Sequence, residues 1–260
     1  MSFHGALGQG DGDPGPGAGA QPAGGDSLRG RSVLVTGGTR GIGRAVAERV
    51  ARAGARVDVV ARGAEDFFET VERTGGRAWP CDLGDDADVW STLEGLVEAL
   101  AGPPDAVVNA AGTFDLAPLA ETSVNAFDRN LSVNLRGPFL VIRALLPHML
   151  ARGSGCIVNL GSVAGRRALP GNAAYGAAKY GLRGLHEVLL EEIRGTGVVA
   201  TLIEPAATDT PLWDPLAPDE REGLPSRAEM LSAEDVAEAV LFALTRPAGV
   251  RVPLIQIERG

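Results

Sequence analysis

Tyr175-Gly-Ala-Ala-Lys179 sets a phenol and an ammonium four residues apart. Residues i and i+4 share one face of a helix, so the two groups become neighbours. An ammonium beside a phenol favours the phenolate and draws its pKa down from about 10, toward the range of a general acid/base. The spacing alone is common as a structural tyrosine plus a surface lysine. Ser162 gives it weight. That serine ends the apolar run Gly155-Cys-Ile-Val-Asn-Leu160 and lies thirteen residues before Tyr175. Open parallel sheets place their chemistry at the carboxyl ends of strands. A hydroxyl there holds a substrate oxygen while the tyrosine exchanges its proton.

A second group of residues is suited to phosphate. The apolar run Ser32-Val-Leu-Val-Thr36 leads directly into Gly37-Gly-Thr-Arg-Gly-Ile-Gly43, where a helix opens. Unpaired N–H groups and a partial positive charge at a helix N-terminus attract a pyrophosphate. Gly37 permits the tight turn, Gly41 lets backbone approach the phosphates, and Gly43 lets the helix pack closely. The next strand ends Val60-Ala61-Arg62, with Ala61 where a carboxylate would receive the ribose hydroxyls of NAD. Arg40 and Arg62, with no carboxylate, suit a 2′-phosphate instead. The expected cofactor is NADP(H). Asp58 lies inside the same strand and points away from that pocket.

Short apolar runs and amphipathic segments position these groups by alternating along the chain. Strands are expected at 32–36, 56–61, 77–80, 105–109, 155–160, 198–204 and 252–257. Helices are expected at 41–53, 64–74, 86–101, 123–152, 172–194 and 233–245, with a bend in the fourth at Gly137-Pro138. The alternation means parallel strands joined by right-handed crossovers. Runs rich in Val, Ile and Leu mean strands buried on both faces. The expected fold class is α/β: a doubly wound Rossmann-type parallel sheet flanked by helices, in a single domain over 28–260.

Residues 5–30 are dominated by Gly, Pro, Ala, Gln and Asp, and the segment 1–27 reads as a disordered tail. A net charge of −9 argues against nucleic acid or an anionic membrane as partner. Cys81 and Cys156 are too few for a disulfide framework or a four-ligand zinc site, and no metal site is expected. No apolar run has the length of a membrane span, and the N-terminus lacks a signal-peptide pattern. These features point to the cytoplasm.

Thr36-Gly-x-x-x-Gly-x-Gly43, Asn109-Ala-Ala-Gly112, Asn134, Ser162 and Tyr175-x-x-x-Lys179 together resemble the short-chain dehydrogenase/reductase family, in order and spacing, from about Leu28 onward. The resemblance implies a ketone/secondary-alcohol oxidoreductase with an Asn–Ser–Tyr–Lys tetrad. In that reading Tyr175 is the proton donor in reduction, and Lys179 lowers its pKa and binds the nicotinamide ribose. Ser162 orients the carbonyl, and Asn134 supports a relay water. Without the family match, Asn134 would read as a helix residue bonding its own backbone. The implied cofactor set is Gly37, Thr39, Arg40, Gly41, Ile42, Gly43, Arg62, Asp82, Leu83, Asn109, Gly112, Tyr175, Lys179, Pro205, Thr208 and Thr210. Asp82 would contact the adenine edge, Asn109 and Gly112 would line the trough, and 204–210 would contact the nicotinamide amide. Ala206 departs from the glycine usual after Pro205, and Thr208 from a usually aliphatic residue.

The partner implied is a small carbonyl or alcohol, of carbonyl-reductase, 3-oxoacyl or 3-hydroxy-acid type. The long helices carrying Asn134 and Tyr175 imply a homodimer or homotetramer. The competing reading is a catalytically silent NADP-sensing regulator; such proteins usually lose the tyrosine or lysine, and here both are present. Substrate choice is expected from 114–119, 166–172 and the proline-rich 211–230. Trp213 is expected to pack that last segment down, and Arg166 and Arg167 to be exposed surface arginines. His148 is expected to pack or to face solvent.

Overall fold

The computed structural model describes residues 27–260, except the side chains of 64–66. The expected tail, apart from Ser27, lies outside the described residues. Leu28 is buried, and its N–H donates to the Ala53 carbonyl, so the body begins before the composition shift ends at Gly30.

Seven strands form one parallel sheet: β1 (Ser32–Thr36), β2 (Arg56–Ala61), β3 (Arg77–Pro80), β4 (Ala106–Asn109), β5 (Gly155–Leu160), β6 (Val198–Pro205) and β7 (Leu254–Ile257). Their spatial order is β3-β2-β1-β4-β5-β6-β7, so the winding reverses between β1 and β4. A crevice opens at such a switch point, beyond the carboxyl ends of the strands. The helices are α1 (Gly41–Arg52), α2 (Ala64–Thr74), α3 (Asp86–Leu100), α4 (Val124–Leu131), α5 (Gly137–Arg152), α6 (Ala173–Glu192) and α7 (Ala233–Leu244). The two faces of the sheet carry separate apolar layers. Val46, Val50, Val240 and Leu241 cover one, and Leu93, Leu96, Leu145 and Leu189 cover the other. Burial on both faces explains why the strands read as continuous apolar runs.

The expected helix over 123–152 is three segments. Between α4 and α5 the chain widens into a π-helical turn, Ser132–Arg136. The irregularity therefore precedes Gly137-Pro138 rather than falling on it. Pro138 sits in the first turn of α5, where its missing N–H costs little. Asn134 lies inside the widened turn, fully buried.

Candidate active site and cofactor trough

The glycine turn is fixed by contacts that leave no room for a side chain. Gly37 has φ +67°, and a Cβ there would lie 2.6 Å from Ala111 Cα. Gly41 has φ +51°. A Cβ on Gly43 would stand 2.1 Å from the Gly37 carbonyl oxygen. Gly43 thus closes the turn on itself, where close helix-to-sheet packing was expected. The result is a trough of about 510 Å³ lined by this turn, Ala61, Arg62, Asp82, Leu83, Gly112 and Thr210. Gly41, Ile42 and Gly43 at the start of α1 line it, and a helix N-terminus suits a pyrophosphate.

Arg40 and Arg62 are both exposed at the trough, and among the described residues neither has a carboxylate partner. Arg44, by contrast, is engaged by the Thr39 carbonyl and by Glu69. Asp58 is buried and receives Arg77 Nε at 2.9 Å and Trp79 Nε1 at 2.8 Å. It is spent on β3, and Ala61 is left at the pocket as expected.

Asn109 departs from expectation. Its side chain is buried beneath the trough and donates to Asn159 Oδ1 at 2.9 Å, bridging β4 to β5. Asn159 continues to His186 Nδ1 at 3.1 Å. Ala110 and Ala111 line the trough beside Gly112 instead. The Asn-Ala-Ala-Gly spacing did not distinguish a side chain in the trough wall from one under it. Cys81 also lines the trough, and burial pushes its thiol up to about 11.

Ile42, Gly112 and Thr210 are shared with a second cavity of about 480 Å³, into which Asn134, Ser162, Tyr175 and Lys179 all project. Ser162 follows β5, and its Oγ accepts from the Ala164 N–H at 3.1 Å, which leaves its proton to donate. Gly165 lets α6 come close, since a Cβ there would meet the Lys179 carbonyl oxygen at 2.8 Å. Lys179 Nζ lies 5.6 Å from the Tyr175 ring centre and donates to the Leu160 carbonyl at 2.7 Å. Asn134 Nδ2 donates to the Thr113 carbonyl at 2.9 Å and to Asn130 Oδ1 at 3.3 Å. It reaches across to a loop rather than to its own backbone.

Burial governs the protonation. It lowers the Lys179 ammonium to about 8. It raises the Tyr175 phenol, against a smaller opposing effect from the Ser162 hydrogen bond. The net direction for Tyr175 is opposite to that expected from the Tyr–Lys spacing. Desolvation penalises the phenolate more than its neighbours favour it.

Pro205, Thr208 and Thr210 line the second cavity from the loop after β6. Ala206 does so with an ordinary negative φ, so the departure from glycine costs no strain. The Thr208 hydroxyl donates to the Ala206 carbonyl at 3.0 Å, which gives the departure from an aliphatic residue a local use. Arg166 is only partly exposed and pairs with Glu204 and Glu258, contrary to its reading as a free surface arginine. Arg167 and His148 are exposed.

A crevice at the switch point that holds backbone donors, beside a cleft that gathers a serine, a tyrosine and a lysine, defines a Rossmann-type oxidoreductase class. The family model for short chain dehydrogenases matches residues 31–221, and the chain belongs to that family. Its members act on CH–OH and C=O groups. The chain is 37% identical over 224 residues to D-threitol dehydrogenase of Mycolicibacterium smegmatis, covering 83% of this chain and 86% of that protein. It is 35% identical to the glycine betaine reductase of Emericella nidulans, covering 89% of this chain but 19% of that much longer protein. The structure is similar to a metagenomic short-chain oxidoreductase solved in complex with NADP, with TM-score 0.76 and 29% identity, covering 90% of this chain and 98% of that one.

Proposed function

We propose that this protein interconverts a ketone and a secondary alcohol with NADP(H), using Tyr175 as the proton donor in reduction. The supporting observation is the convergence of Asn134, Ser162, Tyr175 and Lys179 on one cleft that opens into the glycine-lined trough. The trough suits the dinucleotide: its glycine turn is held too tightly for side chains at Gly37 and Gly43, and Arg40 and Arg62 line it with no carboxylate partner among the described residues. The turn 37–43 would hold the pyrophosphate, Arg40 and Arg62 the 2′-phosphate, Asp82 and Leu83 the adenine, and Pro205, Thr208 and Thr210 the nicotinamide. When bound, the cofactor supplies or accepts the hydride.

The chain's own residues move the proton. Ser162 donates a hydrogen bond to the carbonyl oxygen and polarises it. Tyr175, held protonated at neutral pH by burial, gives its phenolic proton to the same oxygen as the alcohol forms. Lys179 compensates the phenolate left behind, and Asn134 holds the Thr113 loop that borders the proton path. In oxidation Tyr175 must first lose its proton, so the rate rises with pH. Tyr175→Phe removes only the hydroxyl. It lowers turnover by at least about a hundredfold while nucleotide binding stays near normal. Wild-type turnover in that variant would refute the assignment.

The finer features follow the same reading. Val124, Phe127, Phe139 and Val188 expose apolar surface on α4, α5 and α6, as pairing into a homodimer or homotetramer requires. Light scattering that found only monomer at micromolar concentration would contradict it. Free, buried Cys81 and Cys156 suit a reducing cytoplasm.

A further inference from the structure

Among the described residues, the lining of the cleft above Tyr175 offers no uncommitted cationic side chain to pair with a charge on the substrate. Lys179 is the sole charged one in that lining among the described residues, and its ammonium is buried and bonded to the Leu160 carbonyl. The remaining walls beyond the tetrad are mostly apolar, among them Phe114, Leu116, Leu169, Leu212, Trp213 and Leu224. No arginine among the described residues lines the cleft, and two that flank it are held by carboxylates. Arg166 is held by Glu204 and Glu258, and Arg227 by Asp209, Asp214 and Asp219. The aromatic rings are ordered across the opening. Phe114 packs edge-on to Tyr175 at 4.9 Å between centres and to Trp213 at 5.1 Å. A ring from the loop after β4, the tyrosine on α6 and a ring from the segment after β6 therefore form one continuous aromatic wall.

From this we infer that the substrate is an uncharged ketone or secondary alcohol with a bulky aromatic or alicyclic substituent seated against Phe114 and Trp213, and that small hydroxy and oxo acids are rejected. The inference rests on the proposed chemistry at Tyr175 and narrows its substrate. A carboxylate beside the reacting carbon would be desolvated here without a partner, which is costly. The rings gain by burying an apolar face in edge-on contact. The volume of the cleft accommodates a ligand of that size.

The test compares 4-ethylacetophenone with 4-acetylbenzoate, which share a reacting carbonyl and differ in charge at the far end. Equilibrium binding is measured by calorimetry on the enzyme saturated with NADP⁺, where no reduction occurs, and turnover is measured with NADPH. We expect the neutral ketone to bind at least about tenfold more tightly and to show the same preference in kcat/KM. Trp213→Ala should raise the Kd for the aryl ketone about tenfold and leave that for 2-butanone within twofold. Equal or reversed affinity within the pair, failure of both to bind, or indifference of the aryl ketone to Trp213→Ala would overturn the inference. Failure of the underlying chemistry reads differently: ligand preference stays in the binding assay while Tyr175→Phe turns over like wild type.

Discussion

At the β1–α1 end of the crevice the walls are mostly backbone, glycines in tight contact at a helix start, with Arg40 and Arg62 at the rim and no carboxylate partner for either among the described residues. At the far end they are side chains, mostly apolar, carried on loops. There the segment over 211–230 is tied down by solvent-exposed ion pairs that converge on Arg227. The first end has one permitted geometry, because atoms stand closer than any side chain allows. The second is held by contacts that water and salt weaken. A shared cofactor chemistry needs the former; a particular substrate can be fitted by changing the latter.

The sharpest way to break this contrast is Gly43→Ala. The added methyl would overlap the Gly37 carbonyl oxygen, so the turn must open. We expect a loss of about 3 kcal/mol of stability or more, together with loss of nucleotide binding. A denaturant melt and a nucleotide titration check it. An unchanged melt would mean that the turn is not rigid.

Lys179 sits between the two ends, and its burial gives a signed pH effect. Between pH 8 and its ordinary 10.5 the unfolded chain holds a proton on this lysine that the native chain has lost. Stability therefore rises with pH across that window. The relief is of the order of 3 kcal/mol if the shift is complete. Tyr175 is shifted upward and acts in the opposite sense above its ordinary value of 10, so Tyr175→Phe is the background to use. On that background the Lys179→Met variant should lack the rise. Parallel slopes for the two proteins would show that the ammonium is not desolvated.

Cofactor choice is the next effect in size. Arg62→Asp combined with Arg40→Ser should lower the NADPH-to-NADH ratio of kcat/KM by at least about tenfold. A wild-type enzyme that prefers NADH would refute the reading of these two arginines.

The smallest effect belongs to the far end. Arg227→Ala frees Asp209, Asp214 and Asp219 and should raise KM for the substrate by about two- to fivefold with little change in kcat. High salt should reproduce part of that rise in the wild type and none in the variant. A matching rise in KM for NADPH would erase the distinction between the two ends.

The seven strands and the glycine turn were legible because their causes are local. Double-sided burial writes itself as apolar runs, and a strand ending in glycines before an amphipathic segment has few other meanings. Tyr175, Lys179 and Ser162 were legible for the same reason, through helical spacing and a strand end. The direction of the Tyr175 shift was not, because desolvation depends on what covers the ring, and Phe114, from the loop after β4, packs edge-on against it. Asn109 was misplaced because one register step decides whether a strand-end side chain faces the crevice or a neighbouring strand, here Asn159. The π turn that carries Asn134 had no sequence signature; the buried reach of Asn134 to Thr113, from another segment, accompanies it. Sequence alone determined the strands, most of the helices and the Ser162, Tyr175 and Lys179 group, since spacing along the chain controls these. Tertiary structure alone decided the aromatic wall of the cleft, because it comes from segments about a hundred residues apart, Phe114 and Trp213, that meet only when the sheet is assembled.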